Sequence, residues 1–522
     1  MKIFSSDEIR AIKQFTLREQ GINERQFIEN VGETLAYEIA ALVAPERRLV
    51  VFAGPDLNGA YALTAARHLV RKGYKPTVYL FNVGGNKLSP DCGATKDMFV
   101  EEHGASLLTE ISGLQFSMPD LGGDVTVVDG IFGTERIKPI SGGYMSIIQY
   151  INEMKPQVIS IEVPSGLLVD SVDGMINRNI IHADLTLALG VPRVAFFIKE
   201  NAELFGKWKI VPVEYSKTAL DRAPWKFRLI ERSDMRHLIS PRDPFATKAD
   251  CGHAVIFAGS YGMLGAAVLA ANGALRGGVG KVTVHAPRCG FYVLQTSVPC
   301  AMFESDQGDI AITDIELTRN YNSVALGPGI GTADATIDAL DAFLKLANAN
   351  SRPLILDADA LNCISIRPSM LNHIPVMSIL TPHAGEFDRL FGKQPSTYAR
   401  LLRAIDVARQ RHIIIILKGR FTAIVRPDGK VYFNPSGSAA LATPGSGDVL
   451  TGLLAAFLAQ GMLPEFAALA APYIHGLAGE MAAECRGMFG VTAMDVADNL
   501  GRAIDTVFSD TDSQFITHSP QY

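Results

Sequence analysis

The chain is poor in cysteine, and its cysteines are not paired along the sequence. Six cysteines are spread over 522 residues, and no two stand in a Cys-x-x-Cys spacing. This pattern argues against a disulfide framework and against a cysteine-based zinc site. We expect reduced, mostly buried thiols, as in a cytoplasmic protein.

Long apolar runs and an excess of positive charge are also absent from the sequence. No apolar run approaches the roughly 18 residues that a membrane-spanning helix requires. Lysine and arginine number 48 against 54 aspartates and glutamates, and the formal net charge of −6 does not favour non-specific binding to nucleic acid. The first residues become polar too early for a signal peptide. We therefore expect a soluble, cytoplasmic protein whose partners are neither membranes nor nucleic acids.

The sequence does contain an alternation of strands and helices, and it occurs twice. A chain of 522 residues, 48% of them apolar, is expected to form two or three packed domains. The pattern loosens into a polar stretch at 214–227, which predicts a boundary near residue 220 and domains 1–220 and 221–522. Short apolar strands separated by helices are typical of an open, mostly parallel α/β sheet. The predicted strands of the first half are 49–53, 76–81, 125–129 and 158–163.

The second half repeats this alternation and adds a hairpin. Its predicted strands are 254–258, 281–285, 323–326, 354–357, 376–380 and 413–418. Residues 423–426 and 430–433 flank Pro427-Asp428-Gly429 and predict a β-hairpin. In parallel α/β sheets ligands bind at the carboxyl ends of the strands, so the loops that follow the strands are the candidate sites. The predicted helices include 266–276, 449–460 and 466–484.

A short glycine-rich segment opens one of these helices. Gly445, Ser446 and Gly447 stand directly before Asp448, and apolar residues then recur at three- and four-residue spacing. Backbone N–H groups at a helix start favour an anion, and Asp448 is placed to take a proton from an attacking hydroxyl. An anion site beside a carboxylate base is what phosphoryl transfer to an alcohol requires. On this segment alone, the alternative that Asp448 only caps the helix stays open.

Five further loops of the second half begin where a predicted strand ends. Any single one could be an ordinary turn: His383 could be a structural histidine, and Asp357 and Asp359 could be helix caps. Five loops in the same position relative to their strands indicate a shared site instead. These loops are 259–265, 327–331, 357–362, 381–386 and 418–422.

In this order the loops resemble the ribokinase-like superfamily and, more closely, the ADP-dependent NAD(P)H-hydrate dehydratases. The resemblance covers nearly all of residues 228–505 and implies a ribokinase-like α/β/α domain. It also implies that ADP phosphorylates the hydroxyl of the hydrated nicotinamide ring, after which phosphate leaves and NAD(P)H and AMP remain. A Mg²⁺ ion that bridges phosphate oxygens is expected on charge grounds.

The same resemblance assigns roles to individual residues. Asp448 is implied as the catalytic base, and the N–H groups of Gly445, Ser446 and Gly447 are implied to hold the phosphoryl group. The implied nucleotide-binding residues are Lys418, Gly419, Arg420, Phe421, Thr422 and Gly447. The implied substrate-binding residues are Gly329, Gly331, His383 and Asp448.

The first half resembles the NAD(P)H-hydrate epimerase domain over roughly residues 1–215. The motifs that carry the resemblance are Glu29-Asn30-Val31-Gly32, Asp129-Gly130-Ile131-Phe132-Gly133-Thr134 and Glu162-Val163-Pro164-Ser165-Gly166. The resemblance implies a Rossmann-like three-layer sandwich whose loops surround a potassium ion and the hydrate ring, and it implies assembly into a homo-oligomer. The implied potassium ligands are Asn58, Asp129 and Ser165, and the implied substrate contact is Glu162.

The chemical loops of the first half depart from this family pattern. Where the family has Gly-x-Gly-Asn-Asn-Gly-Gly-Asp-Gly, residues 54–62 have exchanged the acid for tyrosine and lost two glycines. Glu162 replaces an aspartate, and Glu135 replaces a glycine on the expected path of the dinucleotide phosphates. Because reacting groups tolerate only small displacements, we expect a folded domain that epimerises weakly or not at all. The alternative, that Glu162 substitutes for the aspartate and activity survives, stays open.

Two other functions are compatible with the glycine-rich segment at 445–448. The first is a kinase of the same superfamily that phosphorylates a stable alcohol, such as a sugar or a vitamin precursor. Such kinases rarely carry an α/β domain of this type in front, which favours the repair activity. The second is a nucleotide sensor without catalysis, and the retained Asp448 argues against it.

Overall fold

The structure, a computed structural model, describes residues 1–83, 88–113, 117–135, 139–170 and 179–509. Within them the chain divides into two compact units, one of residues 2–225 and one that begins at Lys226. Both units combine a β-sheet with helices, so the prediction of a two-domain α/β protein is confirmed. The end of the predicted domain 221–522, from residue 510 onward, lies outside the described residues. Among the described helices, none combines the length and the apolar character that crossing a bilayer requires.

Among the described residues, the first unit has eight strands, seven of which form one sheet. Strands β1 to β8 are Lys2–Ile3, Arg48–Ala53, Thr77–Phe81, Leu108–Ile111, Val125–Gly130, Gln157–Ile161, Leu185–Leu189 and Lys207–Val211. Helices α1 to α7 are Ser6–Gln20, Glu24–Ala40, Leu57–Arg71, Pro90–His103, Gly143–Met154, Ala202–Phe205 and Lys217–Arg222. The strand order is β4-β3-β2-β5-β6-β7-β8, and all neighbours run parallel. The order reverses between β2 and β5, which is where a parallel α/β sheet opens a ligand crevice.

Helices cover both faces of this sheet. Successive residues of β2 alternate between two cores: Val51 packs with α2 and α3, whereas Phe52 packs with α5. A strand has a side-chain period of two, so an uninterrupted apolar run means that both faces are buried. The predicted three-layer arrangement of this unit is confirmed.

The second unit has a mixed sheet. Strands β9 to β18 are Phe227–Leu229, His253–Phe257, Lys281–Ala286, Met302–Ser305, Ser323–Leu326, Ile355–Leu356, Ile379–Leu380, Ile414–Leu417, Ala423–Val425 and Val431–Phe433. Helices α8 to α17 are Arg232–Leu238, Leu264–Arg276, Phe291–Ser297, Asp334–Ala349, Asp359–Ile366, Ala384–Phe391, Thr397–Arg411, Ser446–Ala459, Pro464–Arg486 and Ala493–Phe508. The strand order within the unit is β9-β18-β17-β16-β15-β14-β13-β10-β11-β12. The predicted hairpin is confirmed, because β17 runs antiparallel to both β16 and β18.

Two central strands of this sheet are shorter than the sequence predicts. The predicted strands 354–357 and 376–380 contain only two strand residues each, β14 and β15. Met377 has a φ of 61°, a left-handed conformation that interrupts the extended chain just before β15.

Close contact between α9 and α15 fixes the position of the glycine-rich segment. A Cβ added at Gly452 would lie 1.9 Å from the carbonyl oxygen of Ala270, and one added at Gly273 would lie 2.3 Å from that of Val449. The two helix backbones therefore touch, and only glycine fits at these positions. The start of α15 is held rigidly at the carboxyl edge of the sheet.

Candidate functional site

The first turn of α15 carries the predicted catalytic residues. Gly445 is the N-cap, has a left-handed φ of 86° and makes no side-chain capping bond. Ser446, Gly447 and Asp448 are the first three residues of the helix itself. The alternative in which Asp448 caps the helix is therefore wrong, and its carboxylate makes no capping hydrogen bond to the helix end.

Backbone donors are open at this helix start. The Ser446 N–H makes one long bond of 3.4 Å to the carbonyl oxygen of Thr443. For the N–H groups of Gly447 and Asp448, the described residues provide no acceptor. Unpaired N–H groups at the positive end of a helix dipole attract an anion. The first turn of α15 thus has the donors that a phosphoryl group needs.

A lysine and an aspartate lie beside these donors. Lys418 Nζ is 2.9 Å from Asp357 Oδ1 and 3.9 Å from Glu386 Oε2. A Cβ added at Gly447 would lie 3.5 Å from Lys418 Nζ and 3.8 Å from Asp357 Oδ2. Thr451, one turn further along α15, donates from Oγ1 to Asp357 Oδ2 at 2.7 Å. The ends of β14 and β16 and the start of α15 therefore meet at one point.

The electrostatic environment makes Asp448 a proton acceptor at neutral pH. Burial, followed by the negative charges of Asp357 and Asp359, raises the pKa of Asp448 to about 7, against the opposing effect of Lys418. Burial alone would lower the pKa of Lys418, but Asp357 and Glu386 outweigh it and raise that pKa. A carboxylate with a pKa near the working pH is suited to general base catalysis, and a permanent cation stands next to it.

A buried histidine of α16 is hydrogen-bonded to the backbone at the start of α15. His475 Nε2 is 2.9 Å from the carbonyl oxygen of Ser446, and because a carbonyl only accepts, the ring donates this bond. Burial lowers the pKa of His475 to about 4, so the ring is neutral at pH 7. His475 thus orients the helix start without adding a charge to it.

The predicted substrate-binding glycines lie in the loop after β13, and a hydrogen bond to Asp359 connects this loop to the site. Asp359 Oδ2 accepts the N–H of Gly331 at 2.9 Å, and its charge contributes to the raised pKa of Asp448. The carbonyl oxygen of Gly329 accepts the Ser260 hydroxyl at 2.8 Å. Gly329 and Gly331 have φ values of 64° and 74°, which favour glycine. Asp359 is not a helix cap, because Ala358 occupies the N-cap position of α12.

His383 combines a structural role with an exposed ring. Its Nδ1 caps α13 by accepting the N–H groups of Gly385 at 3.0 Å and Glu386 at 3.2 Å. The side chain is nevertheless 55% exposed, and the residue forms a backbone bridge with Lys418. Because Nδ1 accepts, the neutral ring carries its proton on Nε2, which can donate to a ligand.

The predicted nucleotide-binding segment is the tight turn between β16 and β17. Arg420 Nη1 donates to the carbonyl oxygen of Gly437 at 3.0 Å, and its guanidinium carbon lies 4.8 Å from the centroid of the Phe421 ring. The Thr422 hydroxyl donates to the carbonyl oxygen of Gly419 at 3.1 Å. The turn presents a planar cation and an aromatic ring next to the Lys418 end of the site.

Three residues of this site were not assigned a role from the sequence: Thr451, Glu386 and His475. For Asp357 the sequence suggests no role beyond that of a helix cap. The sequence signal for Asp357 was its position at a strand end, but its partner Lys418 is 61 residues away along the chain. Thr451 and His475 lie inside apolar helical patterns that gave no functional signal.

In the first unit, two predicted potassium ligands bind each other. The buried Asp129 carboxylate accepts the Ser165 hydroxyl at 2.5 Å and the Ser165 N–H at 2.9 Å. It also accepts the Ser160 hydroxyl and the N–H of Ile131. Burial raises the pKa of Asp129 against these hydrogen bonds. Asn58 differs from this pair: its Oδ1 is buried and has no hydrogen-bond partner among the described residues.

Asn58 and Glu162 line a cavity of about 320 Å³ in the first unit. Glu162 has a left-handed φ of 65°, unusual for a residue other than glycine. Its carboxylate accepts the N–H of Thr134 at 2.9 Å, the Thr134 hydroxyl at 2.8 Å and Arg193 Nη2 at 2.8 Å. Glu135 also lines the cavity, and burial raises its pKa. The Glu162 carboxylate is thus held by three donors within the protein.

Comparison with known proteins assigns both halves. Residues 254–502 match the NAD(P)H-hydrate dehydratase family, and residues 24–195 match the family of the YjeF-related protein N-terminus. A crystal structure of the ADP/ATP-dependent NAD(P)H-hydrate dehydratase from Bacillus subtilis, co-crystallised with ATP/Mg²⁺, is 31% identical. It covers 54% of this chain and 98% of its own, with a TM-score of 0.48. The predicted fold class is confirmed as a two-domain α/β protein, with a parallel sheet in the first unit and a mixed sheet in the second.

Full-length relatives contain both halves in the same order. The bifunctional NAD(P)H-hydrate repair enzyme Nnr of Thermofilum pendens is 31% identical over 98% of this chain and 98% of its own length. The enzyme of the same name from Moorella thermoacetica is 30% identical over 97% of this chain and 98% of its own. The predicted resemblance is confirmed, and the chain belongs to the family of bifunctional NAD(P)H-hydrate repair enzymes.

Proposed function

We propose that the second unit dehydrates (S)-NAD(P)H hydrate at the expense of ADP and releases NAD(P)H, AMP and phosphate. The observation that carries this proposal is the Asp448 carboxyl group, whose pKa is about 7, in the first turn of α15 beside the Lys418 ammonium. Two open N–H groups of the same turn adjoin it. A base, an anion site and a cation side by side are the parts that phosphoryl transfer to a hydroxyl requires.

The residues divide the reaction between them. Asp448 accepts the proton of the ring hydroxyl as that oxygen attacks the terminal phosphorus of ADP, and the N–H groups of Gly447 and Asp448 stabilise the transferring phosphoryl group. Lys418 compensates the added negative charge. The 418–422 turn contacts the nucleotide, while His383 and the Gly329–Gly331 loop contact the hydrate ring. AMP leaves as its bond to the attacked phosphorus breaks. Phosphate then leaves the ring carbon, and the loss of a proton from the neighbouring ring carbon restores the ring double bond.

Magnesium fits this site through the nucleotide rather than through a protein cage. The described residues contain no group of three or more histidine, cysteine, aspartate or glutamate side chains that could hold a metal ion. Asp357 is already bonded to Lys418 and Thr451. Brought in with the nucleotide, Mg²⁺ would supply charge neutralisation, which is its usual role with nucleotides.

The test uses the full chain with (S)-hydrate and either ADP or ATP, and follows the return of reduced-nicotinamide absorbance. We expect recovery with ADP. The Asp448→Asn variant should lose roughly 10² to 10⁴-fold in turnover, the usual contribution of a general base, while it still binds ADP. If the wild-type chain restored no absorbance with either nucleotide, the dehydratase proposal would be wrong. Phosphorylation of a stable alcohol without dehydration would favour the kinase alternative.

For the first unit we propose a binding domain with weak or absent epimerase activity. The Glu162 carboxylate is engaged by Thr134 and Arg193, so it is poorly placed to exchange a proton with a substrate. Glu135 adds negative charge where dinucleotide phosphates would pass. Potassium fits in part: Asn58 offers an open oxygen, whereas all four hydrogen-bond positions of the Asp129 carboxylate are filled.

This proposal is tested in the Asp448→Asn chain, because there the dehydratase no longer consumes the (S)-hydrate. Pure (R)-hydrate is incubated with and without K⁺, and the appearance of the (S)-form is followed by chromatography. We expect equilibration close to the rate in buffer alone. A rate near that of an epimerase that retains the family loops would show that Glu162 replaces the aspartate after all.

For the whole chain we infer a cytoplasmic location and assembly into a homo-oligomer. All six cysteines are free, as expected in a reducing compartment. The assembly is inferred from the family resemblance, and light scattering on the purified chain measures it. A monomeric mass would refute it.

A further inference from the structure

Asp357 has no role in the mechanism described above, yet it lies at the centre of the site. It follows β14, is 1% exposed, and both of its carboxylate oxygens have partners. Oδ1 binds Lys418 at 2.9 Å, and Oδ2 accepts the Thr451 hydroxyl at 2.7 Å. Thr451 is on α15, the helix that carries Asp448. Asp357 thus ties the lysine to the helix of the proposed base.

The groups around Asp448 create a competition for Lys418. Asp448 interacts electrostatically with Asp357, Asp359 and Lys418, and the nearby His475 is neutral. Lys418 Nζ lies 2.9 Å from Asp357 Oδ1 and 3.9 Å from Glu386 Oε2, and its close ion pairs within the described residues do not include Asp448. If it paired with Asp448 instead, the ion pair would stabilise the carboxylate and weaken it as a base.

We propose that Asp357 is a positioning residue that holds the Lys418 ammonium away from Asp448 and so leaves the Asp448 carboxylate free to take the substrate proton. This inference rests on the dehydratase function proposed above. The proton moves from the ring hydroxyl to an Asp448 oxygen, and Lys418 keeps its own three protons throughout. Asp357 touches neither substrate nor nucleotide in this arrangement.

The test measures proton uptake rather than turnover. ADP is titrated into the full chain by calorimetry between pH 5 and pH 9, in buffers of different ionisation enthalpy. The negative charge of bound ADP should draw a proton onto Asp448 near neutral pH, and the relevant signal is the part of the uptake that Asp448→Asn removes. In Asp357→Asn, Lys418 is released to Asp448, and the maximum of this signal should move about one pH unit lower.

A double variant distinguishes new pairing of Lys418 with Asp448 from the mere loss of the Asp357 charge. In Asp357→Asn with Lys418→Met, no lysine remains to pair with Asp448, so the maximum should return to the wild-type pH or above it. Asp341→Asn is the matched control: it removes another aspartate–lysine pair, with Lys345 on α11, and should leave the curve unchanged. An unshifted maximum in Asp357→Asn, or a double variant that stays shifted, would overturn the proposal.

Thr451→Val covers the case in which Asp357→Asn does not fold. It keeps the charge of Asp357 but removes the hydroxyl that orients it, so a smaller shift in the same direction is expected, and no shift would refute the role. The outcome is independent of the dehydratase proposal, because proton uptake on ADP binding needs no turnover. Failure of that function would instead appear as absent NAD(P)H recovery by the wild-type chain.

Discussion

A substitution at Gly447 is expected to change the stability of the fold and the catalytic activity in opposite directions. Gly447 is the second residue of α15, and its backbone is not in the left-handed region. An alanine Cβ there would lie 3.5 Å from Lys418 Nζ and 3.8 Å from Asp357 Oδ2, which are ordinary contacts. Alanine is more favourable than glycine in a helix by about 0.5–1 kcal/mol. Gly447→Ala should therefore fold normally and be slightly more stable.

The same methyl group should damage catalysis. It would occupy the space between the first turn of α15 and the Lys418 ammonium, where the phosphoryl group is proposed to sit. Displacing the phosphoryl group from one backbone donor costs roughly 10² to 10³-fold in turnover, or about 3–4 kcal/mol of transition-state stabilisation. The variant should gain stability and lose activity at once.

Two measurements on one sample check this prediction. Thermal unfolding reports stability, and the recovery of reduced-nicotinamide absorbance from (S)-hydrate and ADP reports activity. Gly501→Ala is the matched control, since Gly501 lies inside α17 and a Cβ there meets nothing within 4 Å. It should gain stability without losing activity. If Gly447→Ala retained a kcat/KM within about threefold of Gly501→Ala, the anion site would not be at the start of α15.

Further predictions concern pH, packing and a buried ion pair. Because Asp448 must be deprotonated to act as a base, kcat/KM should fall as the pH drops below about 7, measured by initial rates. The pKa of Asp448 is 3.8 in the unfolded chain and about 7 in the folded chain. Ionisation of Asp448 therefore lowers the free energy of unfolding as the pH rises from about 4 to about 7. Asp448→Asn should consequently be more stable than wild type at pH 8 by a few kcal/mol, on the order of 1.4 per pKa unit, with the difference vanishing near pH 4 in denaturant titrations. Gly452→Ala should destabilise the fold by about 3 kcal/mol or more, because its Cβ meets a backbone oxygen at 1.9 Å. Arg193→Met should cost about 3–5 kcal/mol in the same titrations, since it leaves the Glu162 carboxylate buried without its cationic partner.

Much of the fold followed from local patterns. Strand and helix periods are properties of neighbouring residues, so the alternating elements and the hairpin at 423–433 were predictable. The length of β15 was not, because the apolar run before it continues through Met377, whose left-handed backbone ends the extension. Nothing in an apolar run shows such a local backbone change.

The location of the candidate site was predictable from the sequence, but the hydrogen bonds and ion pairs between its residues were not. The rule that ligands bind at strand ends brought the loops at 327–331, 357–362, 381–386 and 418–422 to one edge. It did not show that Lys418 pairs with Asp357 or that Asp359 holds the N–H of Gly331. It also left open whether Asp448 caps its helix, which the N-cap Gly445 excludes.

The order of the amino acids is enough to identify the two α/β units, the family of each half and the glycine-rich start of α15. The folded chain is needed to show that Asp448 is half-buried among two aspartates and a lysine, with its pKa near 7. It is also needed to show that the Glu162 carboxylate pairs with Arg193. The difference arises because desolvation and ion pairing depend on distances between residues far apart along the chain, whereas a sequence pattern records only which residues are neighbours.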